Sequence, residues 1–176
     1  MKKIISVMGP HAGETSKDIF ERKIDDVKKT GITFWCIRSY KSKPLDVQKF
    51  CKTETVEVFF ISPSSPGGAK DTKIDTKNIE YSIDNTNWNN IPHNITPVTG
   101  NGWALVLDKL EISKLKINLN KYAEFKNNVP LKFGLGCSTI CAVEEDMSLN
   151  KNKVKSYMRE IWAVGRLKYP YCVWIR

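Results

Sequence analysis

His11 and Glu14 stand three residues apart in the loop Gly9-Pro10-His11-Ala12-Gly13-Glu14-Thr15-Ser16, which follows one apolar run and precedes an amphipathic one. An imidazole and a carboxylate this close can serve as a general acid and base, or can hold a ribose. The loop ends where a helix should begin. Unpaired N–H groups and the helix dipole favour an anion there, Gly9 and Gly13 let the backbone come close, and Thr15 adds a hydroxyl. The plainer alternative is a tight strand-to-helix connection whose glycines satisfy backbone geometry and whose Glu14 favours the helix start.

A second loop, Ser62-Pro63-Ser64-Ser65-Pro66-Gly67-Gly68-Ala69-Lys70-Asp71-Thr72, also follows an apolar run. Ser64, Ser65, Gly67, Gly68, Lys70 and Thr72 suit a phosphate cradle, because N–H groups converge easily where no Cβ interferes. The same composition suits a surface loop. A third segment carries Arg38, Tyr40, Lys41 and Lys43; Arg38 can fork onto a phosphate and Tyr40 can stack on a base, while Trp35 just before it reads as core. Neither glycine loop matches the dinucleotide fingerprint or the P-loop.

The elements that must position these loops follow from periodicity. Residues 3–8, 32–37 and 55–61 read as strands. Between the first two lies a helix with Ile19, Phe20, Ile24 and Val27 on one side, capped by Thr15 with Asp18 three positions on, and ended by Gly31. Pro44 starts a second, shorter helix running through Cys51. The β-α-β-α-β order predicts three parallel neighbours, so that the loops at 9–16, 38–43 and 62–72 share one crevice at the strands' carboxyl edge. After about residue 75 the pattern changes. A hairpin is expected around Asp84-Asn85-Thr86-Asn87. A buried strand is expected at 103–107, further strands near 115–119 and 131–135, and a closing hairpin of 160–167 with 171–175 through Lys168-Tyr169-Pro170. The fold class expected is mixed α/β: a Rossmann-like β-α-β-α-β half at 1–74 continued by an antiparallel β-rich half at 75–176, packed as one body.

Composition bounds the rest. The 176 residues are 41% hydrophobic and 27% charged, which excludes wholesale disorder. Apolar runs are too short to cross a bilayer and no signal-peptide core is visible, so a cytoplasmic protein is expected. The five cysteines are then expected to be reduced, with Cys36 and Cys172 packing as small hydrophobes. Cys137 and Cys141 form the only close pair, and no second pair completes a zinc site, so no metal is expected. Glu144-Glu145-Asp146 can hold magnesium through water but reads more simply as a solvated loop. The net charge of +9 is spread rather than concentrated, with the denser basic patch at Lys151, Lys153, Lys155 and Arg159. Weak nonspecific nucleic-acid binding is compatible with it, and so is a solubilising surface.

Two partial resemblances attach to these loops. The strand ending in Gly9-Pro10 and feeding a helix is similar to the start of nucleoside deoxyribosyltransferase-like domains. The strand followed by Pro66-Gly67-Gly68 is similar to lysine-decarboxylase-like, cytokinin-activating phosphoribohydrolases. Each covers under half the chain. Ala69-Lys70-Asp71-Thr72 departs from the x-Gly-Thr that follows Pro-Gly-Gly in the latter family, and its paired glutamates have no counterpart here. The expectation drawn from the residues is binding of a phosphorylated small ligand, a nucleotide first, without turnover. The alternatives are a nucleotide- or nucleoside-processing hydrolase or transferase using His11 and Glu14, a nucleic-acid-binding protein, and a protein-interaction subunit presenting Trp88 or Trp103.

Overall fold

The computed structural model describes residues 1–11, 13–37, 43–64, 77–95, 98–99, 102–131, 139–144 and 157–176. Its first elements are β1 (Lys2–Val7), α1 (Ser16–Thr30), β2 (Thr33–Ile37), α2 (Pro44–Cys51) and β3 (Glu57–Ile61). Local chemistry sets their ends. Thr15 Oγ1 accepts the Asp18 N–H at 3.2 Å while Thr15 N–H donates to Asp18 Oδ2 at 2.9 Å, a reciprocal cap on α1. Gly31 closes that helix at φ 79°, a conformation that costs other residues a steric penalty. Pro44 opens α2, where its missing N–H is not needed.

The rest of the chain is almost all strand: β4 (Lys77–Asn78), β5 (Glu80–Ser82), β6 (Trp88–Asn90), β7 (Val98–Thr99), β8 (Gly102–Ile112), β9 (Lys116–Asn118), β10 (Tyr122–Glu124), β11 (Thr139–Glu144) and β12 (Met158–Ile175). The expected hairpin joins β5 to β6. Asp84 Oδ1 accepts the N–H groups of Thr86 and Asn87, both at 2.8 Å, and those bonds hold its carboxyl well below the usual carboxylate range. The expected closing hairpin is instead one long strand. β12 pairs with β8 from Ala163 to Ile175; the register shifts first between Arg166↔Lys109 and Leu167↔Leu107, then between Leu167↔Leu107 and Cys172↔Leu105, where residues 168–171 leave the ladder and return. Pro170 reads as a turn in sequence, yet β8 continues unbroken opposite it and carries the direction of β12 across the excursion.

The main sheet runs β10-β11-β1-β3-β12-β8-β2, with β9 continuing along β12 on the side of β8, and β5 and β6 joining at its far end. β1 and β3 are parallel neighbours, as expected. β2 is not their neighbour. It pairs antiparallel with β8, which is antiparallel to β12, which is antiparallel to β3, so β2 runs opposite to β1 and β3. The Rossmann-like unit is thereby reduced to a single parallel pair. Strands of the second half, β12 and β8, occupy the space between β3 and β2, so the two halves interleave in one sheet. The sequence shows that β2 is apolar on both faces but not which strand lies beside it.

Alternation divides the core into two layers. Ile4, Val58, Phe60, Leu105, Leu107 and Trp35 face α1 and α2. Ile5, Ile61, Ile140 and Ile161 lie in a second cluster with Ile117, Leu119 and Tyr122, while Phe34, Ala104, Val106 and Val173 pack with Ile95 and the hairpin residues Tyr81, Ile83 and Ile91. Gly165, mid-β12, shows how tightly the helical side is filled: a Cβ there would lie 3.2 Å from Phe60 Cε2 and 3.3 Å from Leu107 Cδ2. Gly165→Ala is therefore expected to destabilise the protein by about 1–3 kcal/mol through overpacking, and Gly165→Val by more. Urea unfolding of the three proteins checks this, and an alanine variant as stable as the wild type would show that Phe60 and Leu107 yield freely.

Candidate functional site

Met8 N–H donates to Ile61 O at 2.9 Å, so the chain leaves β1 and β3 at the same edge of the sheet. Beyond β1, His11 and Glu14 pair through their backbones, with N–H···O distances of 3.1 and 2.9 Å, and Gly13 at φ 81° makes the turn between them. Gly13 thus answers a backbone need, whereas Gly9 has no positive φ and open space around its Cα. The Glu14 carboxylate is gripped by Arg22 on α1, Oε1 from Nε at 2.9 Å and Oε2 from Nη2 at 2.5 Å. Such a bidentate pair fixes the loop against the helix and engages both oxygens that an acid–base role would use. Nε2 of His11 is shielded from solvent.

Beside this loop lies a cavity of about 610 Å³. Pro10, Phe20, Ile112 and Trp162 give it apolar walls; Thr15, Ser16, Lys17 and Ser113 add polar groups. Phe20 is held from behind, its ring 5.4 Å from that of Trp35 and 5.7 Å from that of Phe60. Trp162 is positioned from the other side: Ser113 N–H donates to its carbonyl at 2.9 Å. Glu160, two residues before it, accepts Ser62 N–H at 2.9 Å and donates its own N–H to Ser62 Oγ at 3.3 Å, so the first residue after β3 is tied to the same strand. Capping uses the Asp18 N–H, and helix geometry leaves those of Ser16 and Lys17 without intrahelical acceptors.

The sequence-predicted residues divide unevenly over this geometry. Thr15 lines the cavity. Gly9, His11, Gly13 and Glu14 belong to the same loop but shape it rather than wall the cavity, and Ser64 sits exposed just past the end of β3. Ser65, Gly67, Gly68, Lys70 and Thr72, like Arg38 and Tyr40, lie outside the described residues, as do Cys137, Glu145, Asp146 and Lys151, Lys153 and Lys155. The shared crevice of three loops needs correction, because β2 runs the other way. Its last residue, Ile37, is opposite Trp103 on β8, nine residues before Ile112 at the cavity, which is roughly 30 Å along a strand. Sequence reasoning missed Lys17, Phe20, Ile112, Ser113 and Trp162 as site residues. Lys17 and Phe20 lie one and four places after Ser16, where the loop motif ends; the other three come from strands or their ends, whose neighbours no local pattern names.

No cluster of three or more His, Cys, Asp or Glu side chains that could hold a metal is found among the described residues. Cys36, Cys51, Cys141 and Cys172 are free thiols. Burial pushes Cys51 up to about 12 and Cys172 well above its ordinary value, which disfavours the thiolate a nucleophile needs. Among the described residues no helix is long and apolar enough to cross a membrane.

The buried face of α1 holds an ion pair as well as apolar side chains. Lys23 and Asp26 are 5% and 2% exposed, Lys23 Nζ is 3.7 Å from Asp26 Oδ2, and Thr33 Oγ1 donates to that oxygen at 2.9 Å. Ile24 and Val27, expected on the buried stripe, are only half-buried. Desolvation, with a smaller contribution from Arg22, outweighs the attraction of Asp26 and brings Lys23 down to about 8. The folded state thus disfavours the ammonium. The penalty is full below pH 8, shrinks as pH rises from about 8 towards the ordinary lysine value near 10.4, and is gone above it. Wild-type protein should gain stability relative to Lys23→Met across that window. Denaturant unfolding at stepped pH reads the difference, and curves that stay parallel would place the Lys23 ammonium in water.

Comparison with protein-family models, with curated proteins and with solved structures found no match for this chain.

Proposed function

We propose that the protein binds a phosphorylated small molecule bearing a flat apolar group, a nucleotide being the simplest, in the cavity beside the 9–16 loop. The observation that carries this is the cavity itself: aromatic and aliphatic walls from Phe20, Trp162 and Ile112 meet the amino end of α1. A planar ring gains by leaving water against such walls, while an anion gains from the first-turn N–H groups and the positive end of the helix dipole. Lys17 adds charge from the rim. Its side chain is 81% exposed and paired with Glu21 only at 3.7 Å, a contact weak enough to be exchanged for a phosphate. The grip of Arg22 on Glu14 favours a binding protein over a hydrolase, because acid–base catalysis by that carboxylate would first require breaking a bidentate pair.

Thermal-shift screening against nucleotides and sugar phosphates, with chromatographic recovery of any stabilising compound, tests the proposal. A stabilising compound recovered unchanged is the expected result. Trp162→Ala should then weaken binding by ~1–3 kcal/mol through lost stacking, and Lys17→Ala by roughly 1 kcal/mol. Glu14→Gln should lower the melting temperature while leaving affinity nearly unaltered, since it loosens the loop rather than the cavity wall. Conversion of the compound, abolished in His11→Ala, would overturn the binder in favour of an enzyme. Indifference to every phosphorylated compound would overturn both.

A further inference from the structure

A second cavity, of about 480 Å³, lies on the same helical side of the sheet towards its other end, where the carboxyl end of α2, residues 54–55 and the 168–171 excursion of β12 meet. Its chemistry differs from that of the first. Lys52, Arg166, Lys168, Tyr169, Tyr171 and Thr55 supply most of its lining, with Leu167 and the buried Cys51 at its base. Two acids also contribute, and each is already engaged. Asp108 accepts Arg166 Nε at 2.8 Å and Nη2 at 3.1 Å, and Glu54 is 3.4 Å from Lys2 Nζ. Lys52 and Lys168 make no ion pair among the described residues. The balance facing a ligand is therefore cationic.

The backbone of the excursion is strained where it forms the wall. Tyr171 sits at φ 68°, a left-handed conformation that is a genuine outlier for a bulky side chain and persists only where the surroundings enforce it. Tyr171 and Tyr169 lie edge to face, centroids 5.8 Å apart and planes at 86°, and Tyr169 is 69% exposed on the rim. An open aromatic face flanked by unpaired lysines is the combination that holds a base by stacking and its neighbouring phosphates by charge. The free carbonyls at the end of α2 add partial negative charge, so phosphates must be held by side chains rather than by backbone.

We propose that this rim is a binding surface for single-stranded nucleic acid, with a base on Tyr169 and the backbone tracking across Lys52 and Lys168. An exposed ring on a rim favours a continuing strand over an enclosed mononucleotide, and the net charge of +9 draws a polyanion to the molecule.

Fluorescence anisotropy with a labelled oligothymidylate of about ten nucleotides, titrated at stepped salt, tests this. Tyr169→Ala should weaken binding about fivefold or more, and Tyr169→Phe should restore it, which separates lost stacking from a disturbed strand. Lys52→Gln and Lys168→Gln, whose side chains make no ion pair or hydrogen bond among the described residues, should each reduce the log–log salt slope by about 0.7. Lys17→Gln, at the other cavity, should alter neither measurement much, which keeps this result independent of the nucleotide proposal. The surface proposal is overturned by absence of binding at low salt, by affinities unmoved in the Tyr169 and lysine variants, or by thymidine monophosphate competing as well as the oligonucleotide.

Discussion

β12 must satisfy two edges at once, and the rest of the molecule depends on its doing so. Between Ile161 and Arg166 it pairs with β3 on one side and, over most of the same stretch, with β8 on the other. Its last residues bind β5 as well as β8, and its first bind β9. Among the described residues no other strand joins the N-terminal β1–β3 pair to the β8–β2 pair. The β1–β3 pair is thus joined to the β8–β2 pair only once residues 161–166 are in place. Pairings this distant in sequence impose loop-closure entropy before any contact repays it, so the fold belongs with the slower topologies. Gly165 lies at the centre of this double pairing, and its missing side chain is what lets Phe60 and Leu107 close over the strand.

Both candidate sites hang on the same strand. Trp162, near its amino end, walls the apolar cavity, and residues 168–171, past its midpoint, wall the cationic one. The two are built by different means. The first uses the regular end of the sheet, where β1 and β3 release their loops together and a helix begins. The second uses a break in the ladder, where four residues of β12 have no partner on β8. Irregularity in an otherwise continuous strand aims side chains that a flat sheet could not present together.

Local signals were legible in the sequence and non-local ones were not. The Thr15–Asp18 cap, the Gly31 stop, the Pro44 start and the Asp84 turn each rest on residues within four positions of one another, so the chain itself carries the information. The direction of β2 rests on β8, about seventy residues later, and periodicity cannot distinguish a strand beside β1 from one four places away. For the same reason the loop at 9–16 was found while Ile112, Ser113 and Trp162 were not. Pro170 misled in the opposite sense. A proline after two polar positions reads as a turn, but the strand facing it keeps its course, and tertiary pairing overrides the local preference.

Charge also works differently on the two halves of α1, and that difference bears on how ready the first cavity is for a ligand. At the amino end, Glu14–Arg22, the reciprocal Thr15–Asp18 cap and the Phe20 ring packed against both Trp35 and Phe60 hold loop, helix start and cavity wall in one arrangement. Further along, the buried face carries Lys23 and Asp26 in place of two hydrophobes, and a buried pair costs much of what its attraction returns. Helix α1 is accordingly anchored best where it meets the cavity. A ligand of the proposed kind would find its walls already placed and lose less in ordering them, which is how a small site gains affinity without gaining contacts.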